Sequence, residues 1–395
     1  MKESAPVSEQ IYLNNAATSW PKPDCVAEAV RQALLAPPGA MHRGGRNDFD
    51  VFDAVRQELA PLLGISDPAQ IALGPNATWA LNLAIQGFPY QEKAADTLPV
   101  HKKHSDMVRP TVVTTKAEHN SVIRPLFDLE QRGILQVIWL DTDQTGRVPL
   151  PVWQAAMKQY HPVLAVFTHA SNVTGAVHDA RAMTAAAKEY GASVLIDASQ
   201  TLGWLPLQAE NWGADMVAFT GHKYLLGPQG TGGLWIRKSL TLHPLLTGGT
   251  GIHSDRDTMP SEMPLHLEAG TGNEPSFHGL LAALLWVKEH PRDVTACESH
   301  LELLRSGLMQ AGASVIIPEG PCTPVVSFTI PGEYASDIGF ILQESYDVVC
   351  RTGLHCAPKL FSCLPVPETI RLSLSRFTSL KEIEAVISAV EDMIL

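Results

Sequence analysis

Short apolar runs rich in β-branched residues alternate with amphipathic helical patterns through the first two thirds of the chain. No other feature of the sequence constrains its fold as strongly. The runs Ile71–Leu73, Thr111–Thr115, Gln136–Leu140, Val163–Thr168, Val194–Asp197, Met216–Thr220 and Gly233–Ile236 read as strands. Helical periodicity marks Cys25–Leu35, Phe49–Leu63, Thr78–Gln86, Val122–Arg132, Val152–Gln159 and Ala180–Tyr190. Strands joined through helices predict an α/β fold with a mostly parallel seven-stranded sheet, because a parallel connection needs a crossover and the crossing helices cover both faces. Ligands of such sheets collect beyond the carboxyl ends of the strands, so the residues that follow strands are the ones to search.

The last hundred residues change character. Helices are expected over Pro275–Glu289, Val294–Gln310, Ala335–Gln343 and Leu380–Leu395, with short strands at Ser314–Ile317 and Val325–Ile330. This predicts a large domain over residues 16–288 and a smaller α+β domain built from residues 1–15 and 289–395. Gln91–Pro110 is polar, contains His101-Lys102-Lys103-His104, and reads as a surface insertion. The composition, 45% hydrophobic and 18% charged over 395 residues, is that of a globular protein with a large core. A formal charge of −12 gives no global attraction to nucleic acid or anionic membrane. Met1–Gln10 has no signal-peptide pattern, and no apolar stretch is long enough to span a bilayer. The six scattered cysteines include no C-x-x-C pair and read as reduced thiols of a cytoplasmic protein.

The chemistry starts at Lys223. It follows the strand Met216–Thr220 and would pass for a surface cation if Asp197 did not end a second strand nearby. A carboxylate at the end of an apolar strand is costly to bury without a cationic partner, and a pyridinium nitrogen is such a partner. Pyridoxal 5′-phosphate needs a lysine for its Schiff base and an acid for its ring nitrogen. Gln200, three residues beyond Asp197, is placed to reach the ring oxygen. Gly74-Pro75-Asn76-Ala77-Thr78 joins a strand to a helix, which suits either a phosphate cradle or an ordinary helix cap. Thr220 and His222 flank the lysine as further phosphate contacts. His119 follows the strand Thr111–Thr115 and is either a ring-stacking residue or a solvated loop histidine; Asn172 follows Val163–Thr168 in what also reads as a tight turn. The glycine-rich Gly227–Gly233 is no nucleotide loop: it lacks the Gly-Lys-Ser/Thr ending and precedes a strand instead of following one.

The strings YLNNAATSWPKP, AEHNSVIRP, VFTHASNVTGAV, VLIDASQTLG, FTGHKYLLGPQGTGGLWI and LEAGTGN, in this order, resemble the class V aminotransferase family of pyridoxal phosphate enzymes. Within it the chain resembles the cysteine desulfurase and selenocysteine lyase branch. The resemblance implies fold type I and a homodimer with active sites at the subunit interface. It implies Lys223 as the Schiff-base lysine, Asp197 on the pyridine nitrogen, Gln200 on the ring oxygen and His119 stacked on the ring. Ala77, Thr78, Thr220 and His222 hold the phosphate in this reading, with Thr271 reaching in from the neighbouring subunit. Asn172 and Arg371 grip the substrate carboxylate. The segment Arg351-Thr352-Gly353-Leu354-His355-Cys356-Ala357-Pro358 resembles the active-cysteine loop of the desulfurases. That makes Cys356 the nucleophile, with Arg351 and His355 on the substrate side and His355 a candidate for lowering the thiol pKa. Without the resemblance, Cys356 reads rather as a small buried residue, the commoner place of a free cysteine. His355, Cys356 and Cys363 match no common zinc spacing, so no metal is expected.

The implied reaction converts L-cysteine to L-alanine and passes sulfur, as a Cys356 persulfide, to an acceptor protein or thiol. Alternatives within the fold are a selenocysteine lyase, a cyst(e)ine C–S lyase or a class V aminotransferase. The family usually carries an aspartate where this chain has Asn14, and the ending SRFTS also departs from its pattern.

Overall fold

The structure, a computed structural model, describes residues 10–37, 49–97, 109–252 and 254–394. From the N-terminus, β1 (Ile11–Tyr12), α1 (Asp24–Leu35) and α2 (Val51–Leu63) lead into β2 (Ile71–Gly74), α3 (Ala77–Gln86) and α4 (Tyr90–Thr97). Regular alternation follows: β3 (Thr111–Thr115), α5 (Asn120–Gln131), β4 (Gln136–Leu140), α6 (Leu150–Tyr160), β5 (Leu164–Thr168), α7 (Ala180–Glu189), β6 (Ser193–Asp197), α8 (Ala209–Trp212), β7 (Met216–Thr220) and β8 (Gly232–Ile236). The C-terminal part comprises α9 (Glu274–Glu289), α10 (Val294–Gln310), β9 (Ser314–Ile316), β10 (Val325–Thr329) and α11 (Ala335–Tyr346). It ends with β11 (Val348–Val349), β12 (Arg351–Gly353), β13 (Thr369–Ser373) and α12 (Leu380–Ile394).

The seven-stranded sheet has the order β2-β8-β7-β6-β5-β3-β4. Its strands are parallel except β8, which runs against both β7 and β2. The central strands are apolar on consecutive residues because each face meets its own core. In β5, Ala165 and Phe167 belong to the cluster under α6 and α7, where Trp153 meets Phe167 edge-on at 5.4 Å. Leu164 and Val166 join the opposite cluster with α3 and α5 residues. A sheet buried on both faces has no polar alternation to display. Truncating Phe167 to alanine is expected to cost about 3–5 kcal/mol.

β3 and β5 pair at only two positions, Val112 with Leu164 and Val113 with Ala165. Past that point they splay, and sequence order also breaks here because β4 lies outside β3. The resulting crevice at the carboxyl ends is where the conserved geometry of open α/β sheets places a ligand.

The second sheet, β12-β13-β10-β9, carries α10, α11 and α12 on its own core. The N-terminal segment is tied to it. β1 pairs in parallel with β11, Asn14 bridges to Ser373, and Leu13 is fully buried in the same cluster. The polar stretch read as an insertion opens with a helix, α4, whose Tyr90 is buried and donates its hydroxyl to Ile85 O at 2.9 Å. A run of good helix formers pinned by one aromatic is enough to fold there. His101–His104 lie outside the described residues. Among the described residues no helix is long and apolar enough to cross a membrane, and no cluster of three metal-ligating side chains occurs.

Candidate active site

The carboxyl ends of the large sheet, with Arg351 of β12 and Arg371 of β13, enclose a cavity of about 220 Å³. Asp197 enters it as the last residue of β6. The side chain is 4% exposed and its Oδ1 accepts from Ser199 N at 2.9 Å and from Ser199 Oγ. Lys223, on the turn after β7, enters the same space. Burial lowers its amine to about pKa 8; Asp197 pulls in the other direction, and the Arg371 and Arg351 guanidiniums reinforce the fall. At pH 7 about a tenth of such an amine is therefore uncharged and nucleophilic, far more than of an ordinary lysine. Gln200 is buried; its Nε2 donates to Ala16 O at 3.0 Å while its Oε1 has no partner.

One wall is the N-terminus of α3. Asn76 caps it by accepting from Trp79 N at 2.9 Å, which leaves the Ala77 and Thr78 N–H groups at the cavity. β8 crosses close behind this turn. A Cβ on Gly232 would stand 2.8 Å from Asn76 Cα, so the strand lies against the cap only because that position is glycine. The glycine-rich run before β8 thus serves close backbone packing. His222 and Thr220 line the same end. The His222 Nδ1 lies 3.0 Å from Thr18 Oγ1, and burial with Lys223 and Lys22 nearby lowers its pKa to about 4.

His119 caps α5 with its own ring. Nδ1 accepts from Ser121 N at 3.1 Å and lies 2.9 Å from Ser121 Oγ. Burial first, then Lys223, lowers its pKa to about 4, so the ring is neutral with its proton on Nε2. The preceding Glu118 is fully buried between the splayed strands. Its Oε1 accepts from Thr115 Oγ1 at 2.6 Å and from Thr168 N at 2.9 Å, closing the gap between β3 and β5. Its Oε2 has no partner, and burial raises its pKa to about 8. Glu118 is thus a neutral acid at pH 7 beside Asp197. Glu118 stands in the motif AEHNSVIRP, but nothing local in the sequence marks a carboxyl as spanning two strand ends.

Arg371, on β13, is completely buried at the cavity. Nη1 donates to Asn172 O and Nη2 to Asn14 Oδ1, each at 2.9 Å, and Nε has no partner. Asn14 therefore orients the guanidinium without neutralising it. Asn172 also donates from Nδ2 to His355 O at 2.7 Å, tying the β5 loop to the cysteine loop.

Two consecutive non-glycine residues of that loop, His355 and Cys356, have φ of 49° and 60°. This left-handed backbone is disfavoured for residues with a Cβ. It is held by Asn172 on the His355 carbonyl and by Asn120 N on the Cys356 carbonyl, both at 2.7 Å. The His355 ring points to β13, with Nε2 2.8 Å from Thr369 Oγ1, and burial drives its pKa down to about 2. The charged group on the thiol is Arg351, which lines the cavity and donates from Nη2 to Cys356 Sγ at 2.7 Å. Thr271 stands outside this cavity, in the turn before α9. That turn is anchored by Glu268, which takes Arg56 Nη2 at 2.7 and 2.8 Å and Leu73 N at 2.6 Å.

Ala77, Thr78, His119, Asn172, Asp197, Gln200, Thr220, His222, Lys223, Arg351 and Arg371 thus share one cavity. His355 and Cys356 lie directly behind its Arg351 and Asn172 wall.

A lysine amine and a buried aspartate facing one crevice of a doubly covered, mostly parallel sheet define an enzyme of fold type I in the α/β class. The chain belongs to the aminotransferase class-V family, whose model matches residues 11–386. It is 31% identical to the probable cysteine desulfurase 2 of Mycobacterium leprae, over 96% of this chain and 90% of that protein. It is 28% identical to the cysteine desulfurase of Klebsiella pneumoniae subsp. pneumoniae, over 96% of this chain and 92% of that one. Among solved structures, the apo cysteine desulfurase from Thermococcus onnurineus NA1 superimposes with a TM-score of 0.84 at 26% identity, covering 98% of this chain and 95% of that chain. The cysteine desulfurase CsdA from Escherichia coli, in its S-sulfonic acid form, gives 0.81 at 25% identity, covering 97% and 94%.

Proposed function

We propose that the chain is a pyridoxal phosphate-dependent cysteine desulfurase: it converts L-cysteine to L-alanine and carries the sulfur away as a persulfide on Cys356. The observation that carries this reading is the Arg351 bridge, which seats a cysteine sulfur beside the cavity holding Lys223 and Asp197. An aminotransferase needs no such thiol.

The residues fit the cofactor. Lys223 offers an amine with a lowered pKa, and Asp197 a buried carboxylate for a ring nitrogen. The partnerless Gln200 Oε1 marks a polar group awaiting a contact, and the glycine-backed N-terminus of α3 suits a phosphate. When bound there, the cofactor supplies an electron sink that acidifies the Cα proton of an amino acid. Arg371 takes the substrate carboxylate through a two-pronged contact, with Asn14 and Asn172 fixing the fork. Lys223, once neutral, moves the Cα proton. His119, neutral and locked by Ser121, offers a flat face for stacking. Cys356 Sγ attacks the substrate sulfur, the C–S bond breaks with its electron pair staying on carbon, and a sulfur–sulfur bond forms on Cys356. An acceptor thiol or protein then removes the outer sulfur.

In this reading the enzyme is a cytoplasmic homodimer in which Thr271 completes the phosphate site of the partner subunit. Residues 16–288 hold the cofactor, and residues 1–15 with 289–395 carry the cysteine loop. The pairing of β1 with β11 supports that division.

The test is to incubate the purified protein with L-cysteine and a reductant, quantify alanine, pyruvate and sulfide, and weigh the intact chain. Alanine with a 1:1 sulfur yield, and a persulfide that Cys356→Ser abolishes while keeping the cofactor, is the expected result. Pyruvate in place of alanine would show β-elimination, and unchanged sulfide release from Cys356→Ser would remove Cys356 from the reaction.

A further inference from the structure

A second cavity, about 150 Å³, lies on the far side of the lysine loop, where the end of α9 and the segment after β13 meet it. Two guanidiniums line it. Arg292 lies over the Trp204 ring at 4.1 Å and donates to Trp204 O, while its buried Nε has no partner. Arg376 lies over the Trp286 ring at 5.0 Å and donates to His290 O. Among the described residues neither forms an ion pair with a carboxylate, and the lining contains no acidic side chain. The third wall is Tyr224. It is 6% exposed, and its hydroxyl has no partner although it is completely enclosed.

Two like charges held together beside an unsatisfied hydroxyl form an arrangement short of an anion. Burial lowers the pKa of both arginines; Cys297 offsets this in part at both and Glu298 at Arg292, while Arg292 adds to the fall at Arg376. Stacking on tryptophan holds each guanidinium plane in place but supplies little compensating charge. A small oxyanion would receive charge-assisted N–H donors from both forks and the O–H of Tyr224.

We propose that this cavity is an anion site separate from the catalytic one, which takes a small oxyanion: a tetrahedral sulfur or phosphorus oxyanion, or a compact carboxylate. Tyr224 makes it more than a structural curiosity. This residue directly follows Lys223, and it senses both Arg292 and the catalytic-cavity Arg371. An anion that draws the Tyr224 O–H toward Arg292 acts on the wall shared with the substrate-carboxylate residue.

The test uses protein loaded with pyridoxal phosphate and then dialysed, so that the phosphate cradle is filled. Sodium sulfate, phosphate and acetate are titrated separately against chloride at constant ionic strength, followed by tryptophan fluorescence and calorimetry. Trp204 and Trp286 are the reporters. Saturable binding of at least one anion is expected, and the order of the three identifies the class. Arg292→Gln with Arg376→Gln should weaken it at least about tenfold, and Tyr224→Phe by a smaller factor. Arg292→Lys with Arg376→Lys should retain part of it. Arg371→Lys should leave it in place, since that residue serves the other cavity. If the double glutamine variant is poorly folded, Arg376→Gln alone is read at the same wavelengths. Absence of saturation up to tens of millimolar, binding indifferent to Arg376, or binding lost only in Arg371→Lys would overturn the proposal.

Discussion

Replacing Glu118 by glutamine isolates one buried carboxyl, and its effect follows from the structure. The group is fully buried, with its ordinary pKa of 4.5 raised to about 8 chiefly by loss of hydration. A raised pKa means that the folded chain binds this proton more tightly than the unfolded one. The associated stability is fully present below pH 4.5 and is lost as pH rises through about 8. Within that window the loss runs at about 1.4 kcal/mol per pH unit, or about 5 kcal/mol in all. Glutamine keeps the acceptor for Thr115 and Thr168 and cannot ionise. Urea unfolding of both proteins at half-unit steps from pH 5 to pH 8.5 gives the difference directly. The variant should gain on the parent progressively, with most of the gain in place by pH 8. Parallel stability profiles would refute the claim that Glu118 folds as a neutral acid.

Arg371→Lys cannot hold both Asn172 O and Asn14 Oδ1, and should raise KM for the amino-acid substrate about 10- to 100-fold while the cofactor absorbance persists. An unchanged KM would place the carboxylate elsewhere. Arg351→Gln removes the charged donor from Cys356 Sγ, so the intact-mass persulfide should build up about tenfold or more slowly, with cofactor binding intact; equal rates would make the contact incidental. Capture of pyridoxal phosphate by the cofactor-free chain should rise with pH and level off above about 8, because burial sets the Lys223 amine there. A rate still climbing tenfold per unit near the ordinary lysine value would show that the amine is solvated.

The large sheet was legible because its strands are buried on both faces. Runs such as Leu164–Thr168 and Met216–Thr220 are apolar without interruption, and Asp197 stands out as the one charge ending such a run. The residues Lys223, Asp197 and Gln200 could be grouped for the same reason, since parallel strands deliver their carboxyl ends to one side. The second sheet was less legible. β1 and β11 have two residues each, too few to show any period, and they exist because Ile11 meets Val348 across more than three hundred residues. The antiparallel run of β8 was equally invisible, since local sequence does not record direction. Adjacency of His355 and Cys356 in sequence does not establish contact between the imidazole and the thiol. The left-handed turn at both residues sends the imidazole to Thr369 and leaves the sulfur to Arg351, five residues back. The partnership of Asn14 with Arg371 is fixed only when β13 closes against the N-terminal segment.

The central claim is that Lys223 condenses with pyridoxal phosphate opposite Asp197. Its most direct test is borohydride reduction of the loaded protein, followed by peptide mass mapping. The account predicts a single pyridoxyl-phosphate addition on Lys223, with Asp197→Asn weakening cofactor retention. A label on any other lysine, or a chain that stays colourless in excess cofactor, would contradict it.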